Sequence, residues 1–169
     1  LGAPFAFYML TVDTHQPGFV DDSCQAQFAG TQGVLPKSLR CASFQLARFL
    51  DWAEQRPWFS NTVIAVMGDH AMPSLSSKVK ISPDDTLYWT NFMLNPALPV
   101  PQGERRYSSL DMFPTLLEAM GFTVEGRSMG LGRSLFSDTP TLLETYGQKV
   151  LDSLLRERSI QYDYFLMGK

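Results

Sequence analysis

The sequence predicts an α/β protein, and three observations predict it. Two apolar stretches, Phe5–Val12 and Thr62–Met67, read as buried strands: one is a continuous aromatic-rich run, the other is rich in β-branched residues. Between them, Leu39, Ala42, Leu46, Phe49, Leu50 and Ala53 recur at helical spacing, which predicts an amphipathic helix over Ser38–Gln55. Both strands also end alike, the first in Asp13-Thr14-His15 and the second, after Gly68, in Asp69-His70. The order strand, loop, helix, strand is a crossover unit, which implies a parallel pair with a right-handed connection.

Each element follows from its residues. Pro17 and Gly18 terminate the first strand. In extended backbone, residues two apart point the same way, so Asp13 and His15 would share a face. Residues 20–37 read as loop, and Ser38 is a fair N-cap for the helix that Pro57 stops. Beyond His70 a polar, turn-rich segment carries Ser74, Ser76, Ser77, Lys78 and Lys80 and is expected near the site. Leu87–Leu94 is a third strand candidate, nearer an edge, and a proline-rich loop follows over 95–103. Ser109 or Asp111 caps a helix with Pro114 in its first turn, where proline is tolerated, and Gly121 ends it. Gly126–Ser134 is glycine-rich and basic. It matches neither the dinucleotide nor the P-loop pattern, so a surface loop is favoured over a phosphate cradle. A helix is expected over Thr141–Arg156, and Ile160–Met167 is apolar enough to pack.

Composition narrows the function classes. The chain has 169 residues, 44% hydrophobic and 18% charged, with net charge −3. That suits a globular domain with a real core and gives no footprint for nucleic acid. No apolar run approaches a membrane-spanning length, and these residues read as carrying no signal peptide, so any targeting or anchoring segment is expected outside them. The chain opens at Leu1 and runs at once into an apolar segment, which looks like a piece cut from a longer protein. Cys24 and Cys41 lie seventeen positions apart. A disulfide between them would stabilise by about 3 kcal/mol in the chain-entropy model and imply an oxidising compartment. The alternative is two unpaired thiols.

The chemistry concentrates at the two strand ends. In open α/β sheets ligands bind beyond the carboxyl ends of the strands. A carboxylate and an imidazole there, Asp69 and His70, are donors suited to a divalent ion. The bland alternative is that Asp69 caps a turn and His70 is a polar loop residue. The chain has only two histidines, and both follow an apolar run that ends in aspartate. Random placement would rarely do that, which favours a functional reading of both.

Phe5–Pro17, Asn61–His70 and Tyr107–Gly121 together resemble the C-terminal half of a sulfatase-like domain of the alkaline phosphatase superfamily. Within it, Thr11-Val-Asp-Thr-His15, the two cysteines before and on the helix, Pro57-Trp-Phe59 and Gly130-Leu-Gly-Arg-Ser134 resemble the phosphoglycerol transferases that decorate periplasmic glucans. The resemblance runs to about residue 137. It implies an α/β fold of the three-layer α/β/α sandwich type, with 1–137 as the C-terminal part of the catalytic domain and 138–169 as a helical extension.

The resemblance also implies a site and a reaction. Asp69 and His70 would ligate a divalent metal, manganese first, with zinc or magnesium as alternatives. His15 would be catalytic and touch the substrate's phosphate or leaving oxygen. Arg133 would be a further substrate contact, and Cys24–Cys41 a disulfide. The reaction would move phosphoglycerol from phosphatidylglycerol to a glucan, at the periplasmic face of a bacterial inner membrane. The partners would be an anionic phospholipid head group and the glucan acceptor, with no nucleic acid. This piece itself would be soluble. A sulfatase or phosphodiesterase of the same superfamily, or a non-catalytic binding domain, are the alternatives. The family's nucleophilic threonine and a further acidic ligand have no counterpart in these residues. Thr11, Thr14, Ser74, Ser76 and Ser77 lie in other contexts and read as polar loop residues. The chain is therefore expected to be inactive alone.

Overall fold

The computed structural model describes residues 4–70, 89–101 and 103–168. The expectations for Ser74–Lys80 and for the start of the Leu87 strand lie outside them. The chain forms two compact units, Leu1–Met93 and Leu94–Lys169. Each contains helices and short strands, an α/β composition.

In the first unit, Asp21 caps a short helix, α1 (Asp22–Gln27), by accepting the amide of Ser23 at 2.8 Å. The Ser23 hydroxyl and amide hold the Asp21 carboxyl below its ordinary value. The sequence pattern alone predicts loop here, because α1 is too short to show a helical repeat. The long helix α2 (Val34–Glu54) begins a turn earlier than its pattern of apolar residues suggested. Gly33, at φ +86°, opens it, and Pro36 occupies its first turn, where no helical partner is lost. Ser38 is therefore not a cap. It is fully buried inside α2, and its hydroxyl donates to the Asp13 carbonyl at 2.5 Å. One turn on, Cys41 is bonded to Cys24, with an S–S distance of 2.08 Å and Cα atoms 5.7 Å apart. This disulfide packs with Val20, Phe28 and Phe44 in a small core.

Strand β1 (Ile64–Met67) pairs with β2 (Asn91–Leu94). The predicted first strand does not form. Residues 4–12 carry no ladder, and Phe7 and Tyr8 are 77% and 87% exposed. A strand is stabilised by a hydrogen-bonded neighbour and a covered face, and an apolar sequence alone supplies neither. The parallel pair inferred from the crossover pattern is accordingly absent among the described residues.

The second unit is built on α3 (Met112–Ala119), entered through a 3-10 turn over Ser109–Asp111. Ser108 and Asp111 form a reciprocal capping box. At the far end Gly121, at φ +88°, sends its amide to the Glu118 carbonyl while Phe122 reaches the Leu117 carbonyl, both at 3.0 Å. This is the left-handed glycine termination that the sequence suggested. Strands β3 (Ser128–Met129) and β4 (Gly132–Arg133) make an antiparallel hairpin.

Polar side chains dominate the buried positions here: Asp111, Thr115, Glu118, Ser134, Ser137 and Thr141. They are stable there because they bond one another and the backbone. The Thr115 hydroxyl donates to the Asp111 carbonyl at 2.6 Å and accepts the Leu135 amide at 2.9 Å, and the Ser134 hydroxyl donates to Glu118.

Helix α4 (Leu142–Leu155) starts from a second capping box, Thr141 with Glu144, and kinks at Gly147. Arg105 makes a forked pair with Glu144, Nε to Oε1 and a terminal nitrogen to Oε2, both at 2.8 Å. That pairing raises the Arg105 pKa and lowers Glu144 to about 2. Helix α5 (Ile160–Leu166) is exposed. Among the described residues no helix is long and apolar enough to cross a membrane.

Candidate functional site

Strand β1 leads straight to the candidate metal donors. Val63, Ile64 and Val66 favour extended backbone, and the Gly68 amide still donates to the Thr90 carbonyl at 2.9 Å. The chain then leaves the sheet, and Asp69 and His70 project from its end with side chains 65% and 58% exposed. Asp69 accepts the His70 amide on Oδ1 at 2.8 Å, while Oδ2 lies 3.3 Å from His70 Nε2. One oxygen thus steadies the local backbone while the other converges with the imidazole.

That spacing fits a shared cation. Two donors each about 2.1 Å from one ion stand roughly 3.0–3.4 Å apart, between octahedral and tetrahedral angles. The donor types, one carboxylate oxygen and one imidazole nitrogen, suit manganese or zinc. Two donors are half a shell. Among the described residues no group of three or more His, Cys, Asp or Glu side chains gathers to complete one.

His15 sits in a turn rather than at the end of an extended strand. Its amide donates to the Val12 carbonyl at 2.9 Å, and its own carbonyl accepts from Gly18 at 2.7 Å. Asp13 and His15 therefore do not share a strand face, because the chain has already reversed. The exposed imidazole places Nδ1 3.0 Å from the Gln16 carbonyl. A carbonyl only accepts, so Nδ1 carries the proton, and Nε2 is the nitrogen left for a ligand.

Arg133 belongs to the second unit. Its amide donates to Asp111 Oδ1 at 2.8 Å, and a guanidinium nitrogen lies 3.1 Å from the Gly132 carbonyl. The glycine-rich segment around it is a packed hairpin. The amides of Arg133 and Ser134 are spent on Asp111 and on the Arg127 carbonyl. A phosphate cradle needs free amides, so these two cannot form one. Gly132 has a packing reason: a Cβ there would stand 2.0 Å from the Leu110 carbonyl oxygen. The sequence reading missed Asp111 as a buried organiser and the Arg105–Glu144 pair. The spacings Ser108…Asp111 and Thr141…Glu144 were the available signal for both.

The family model described as Sulfatase matches residues 1–122. Phosphoglycerol transferase I of Escherichia fergusonii is 30% identical over 143 residues, covering 80% of this chain and 18% of that protein. The protein of the same name from Citrobacter koseri is 37% identical over 73 residues, covering 41% of this chain and 10% of its own length. That of an Escherichia coli strain is 29% identical over 143 residues, again 80% of this chain and 18% of the relative. The chain thus spans less than one-fifth of the length of the curated relatives it matches. No solved structure matches it significantly. With the match to the family model running from the first apolar segment through Asp69, His70 and helix α3, the chain belongs to the sulfatase family.

Proposed function

We propose that the chain supplies part of the catalytic domain of a phosphoglycerol transferase, in which Asp69 and His70 hold a divalent ion, manganese first, and His15 serves the leaving oxygen. The observation that carries this reading is the convergence of Asp69 Oδ2 and His70 Nε2 at 3.3 Å beyond β1, in a chain similar over 80% of its length to phosphoglycerol transferase I. In the whole protein the surrounding fold would be a three-layer α/β/α sandwich facing the periplasm. The donor would be an anionic phosphatidylglycerol head group, and the acceptor a glucan hydroxyl.

A bound divalent ion would offset negative charge on the phosphoryl oxygens. The chain's own residues would do the rest of their share as follows. Asp69 and His70 would orient the ion. His15, with Nδ1–H spent on the Gln16 carbonyl, would take up at Nε2 the proton released by the attacking hydroxyl and pass it on to the leaving oxygen. Overall, the bond from phosphorus to the diacylglycerol oxygen breaks and a bond from phosphorus to the sugar oxygen forms. The sugar hydroxyl's proton ends on diacylglycerol. The attacking hydroxyl of a covalent route is assigned to none of these 169 residues.

A second reading is hydrolysis of a sulfate ester, favoured by the family description itself, or of a phosphate ester, which presents similar oxygens. Water would then replace the sugar hydroxyl.

Titrating manganese into the full-length protein by calorimetry tests the metal assignment. His70→Ala is expected to weaken binding at least tenfold, and an unchanged affinity would refute the assignment. Following phosphoglycerol from labelled phosphatidylglycerol vesicles separates transfer to glucan from release into water.

A further inference from the structure

We infer that Ser38 is the residue that positions His15, acting from helix α2 through the carbonyl of Asp13. The inference rests on the role proposed above for His15.

The turn that carries His15 is closed by four hydrogen bonds, and two of them meet on one atom. His15 bonds back to Val12 and forward to Gly18, at 2.9 and 2.7 Å. The Asp13 carbonyl accepts the Phe19 amide at 2.8 Å and also the Ser38 hydroxyl at 2.5 Å. Its two acceptor sites are then filled, one from inside the turn and one from the helix. Ser38 is the only tie of the four that comes from outside the turn, and it spans 25 positions of sequence.

Two further contacts press the same segment on the same helix face. A Cβ on Gly18 would stand 3.0 Å from the Leu35 Cα and 3.2 Å from the Ser38 Cβ, so the turn's backbone lies directly against α2. Gly18 adopts φ +95°, a conformation that resists any side chain. Cys41, three residues beyond Ser38 and so on the same face, is bonded to Cys24. The segment 13–24 is thus pinned near its start by Ser38 and at its end by the disulfide.

Ser38 is fully buried, whereas His15 is exposed. A buried hydroxyl that lost its acceptor would be costly, so the bond and the turn geometry stand or fall together. The direction of the imidazole follows from the backbone of that turn, with Nδ1 tied to the next carbonyl. A misplacement of the order of 1 Å at such a group is worth about a hundredfold in rate.

The chain's two histidines make the test direct, since each reports on one site by its imidazole nitrogen and proton resonances. In Ser38→Ala, the His15 signals are expected to shift and broaden while those of His70 stay in place. In the full-length protein the same variant is expected to lower kcat for phosphoglycerol transfer on the order of tenfold with KM held within about twofold. In a His15→Ala background it should cost little further. Unchanged His15 signals, or equal disturbance of both histidines, would overturn the positioning role. An unimpaired His15→Ala enzyme would instead sink the role given to His15 and leave the resonance result to judge positioning alone. Should Ser38→Ala fail to fold, Gly18→Ala disturbs the same contact from the turn side. There too a change confined to His15 supports the inference, and no change or a general one refutes it.

Discussion

The Arg105–Glu144 pair offers the sharpest stability test. Glu144 accepts four hydrogen bonds: two from the Arg105 fork, one from the Arg106 amide at 3.1 Å and one from the Thr141 amide at 2.8 Å. In Glu144→Gln one oxygen becomes an NH₂ group. Whichever way the amide turns, two donors then face a donor. The carboxyl is also lowered from 4.5 to about 2, first by the bond to Arg105. At 1.36 kcal/mol per pKa unit that drop has a ceiling of about 3 kcal/mol. The pair is about one-fifth exposed, so solvent screening brings the expected figure to roughly 1–2 kcal/mol. The sign follows from the direction. A depressed carboxyl contributes its full stability above pH 4.5, and that contribution is lost as pH falls toward 2. Hydrogen exchange at the Arg106 and Thr141 amides, measured from pH 7 down to 3 with corrections for intrinsic rates, reads this locally. Wild type should lose protection below pH 4.5, and Glu144→Gln should start lower and stay flat. A variant with the wild-type pH profile, or with a loss under about 0.5 kcal/mol, would refute the reasoning.

Two further outcomes follow from packing and from the cross-link. Gly132→Ala should destabilise the second unit by more than about 3 kcal/mol, because its Cβ would meet the Leu110 carbonyl at 2.0 Å and backbone cannot step aside. Gly130→Ala, with φ +57° and nothing within 4 Å of its Cβ, should cost only about 1 kcal/mol, and equal losses in urea unfolding would contradict the steric argument. The double change Cys24→Ser and Cys41→Ser should lower stability by about 3 kcal/mol, given the 17-residue separation. Adding reductant to wild type should reproduce the shift, and melting that is indifferent to both would count against it.

The sequence was legible where local chemistry decides structure. Pro114 in the first turn of α3 and Gly121 after its last turn mark a helix that owes little to its neighbours for its ends. The β-branched run before Gly68 similarly marks β1, shortened by two residues at its start. Legibility failed where the deciding partner is distant. Ser38 looks like a cap by type, and only the approach of the Asp13 carbonyl across 25 positions makes it a buried donor. Phe5–Val12 looks like a core strand by composition, yet pairing and cover come from other segments. Alternation likewise put Asp13 and His15 on one face, but the amide of His15 had already turned back to Val12. The resemblance puts Arg133 at the substrate, while the feature that orders its backbone is its amide on the buried Asp111, a partner 22 positions away.

The candidate groups are therefore held to different degrees, and that bears on what each contributes. The Arg133 backbone is fixed by a buried carboxylate and a glycine packed on backbone, so its guanidinium starts from a firm base. His15 leaves a turn clamped by a helix and a disulfide, so much of its ordering entropy is already spent. Asp69 and His70 lie beyond the end of β1 with side chains more than half exposed. Two donors so placed can begin a coordination shell, but ordering them is a cost that metal binding must itself meet. On the proposed reading, affinity for the ion then depends on what completes the shell, whereas the aim of the imidazole at residue 15 depends on this chain's own packing.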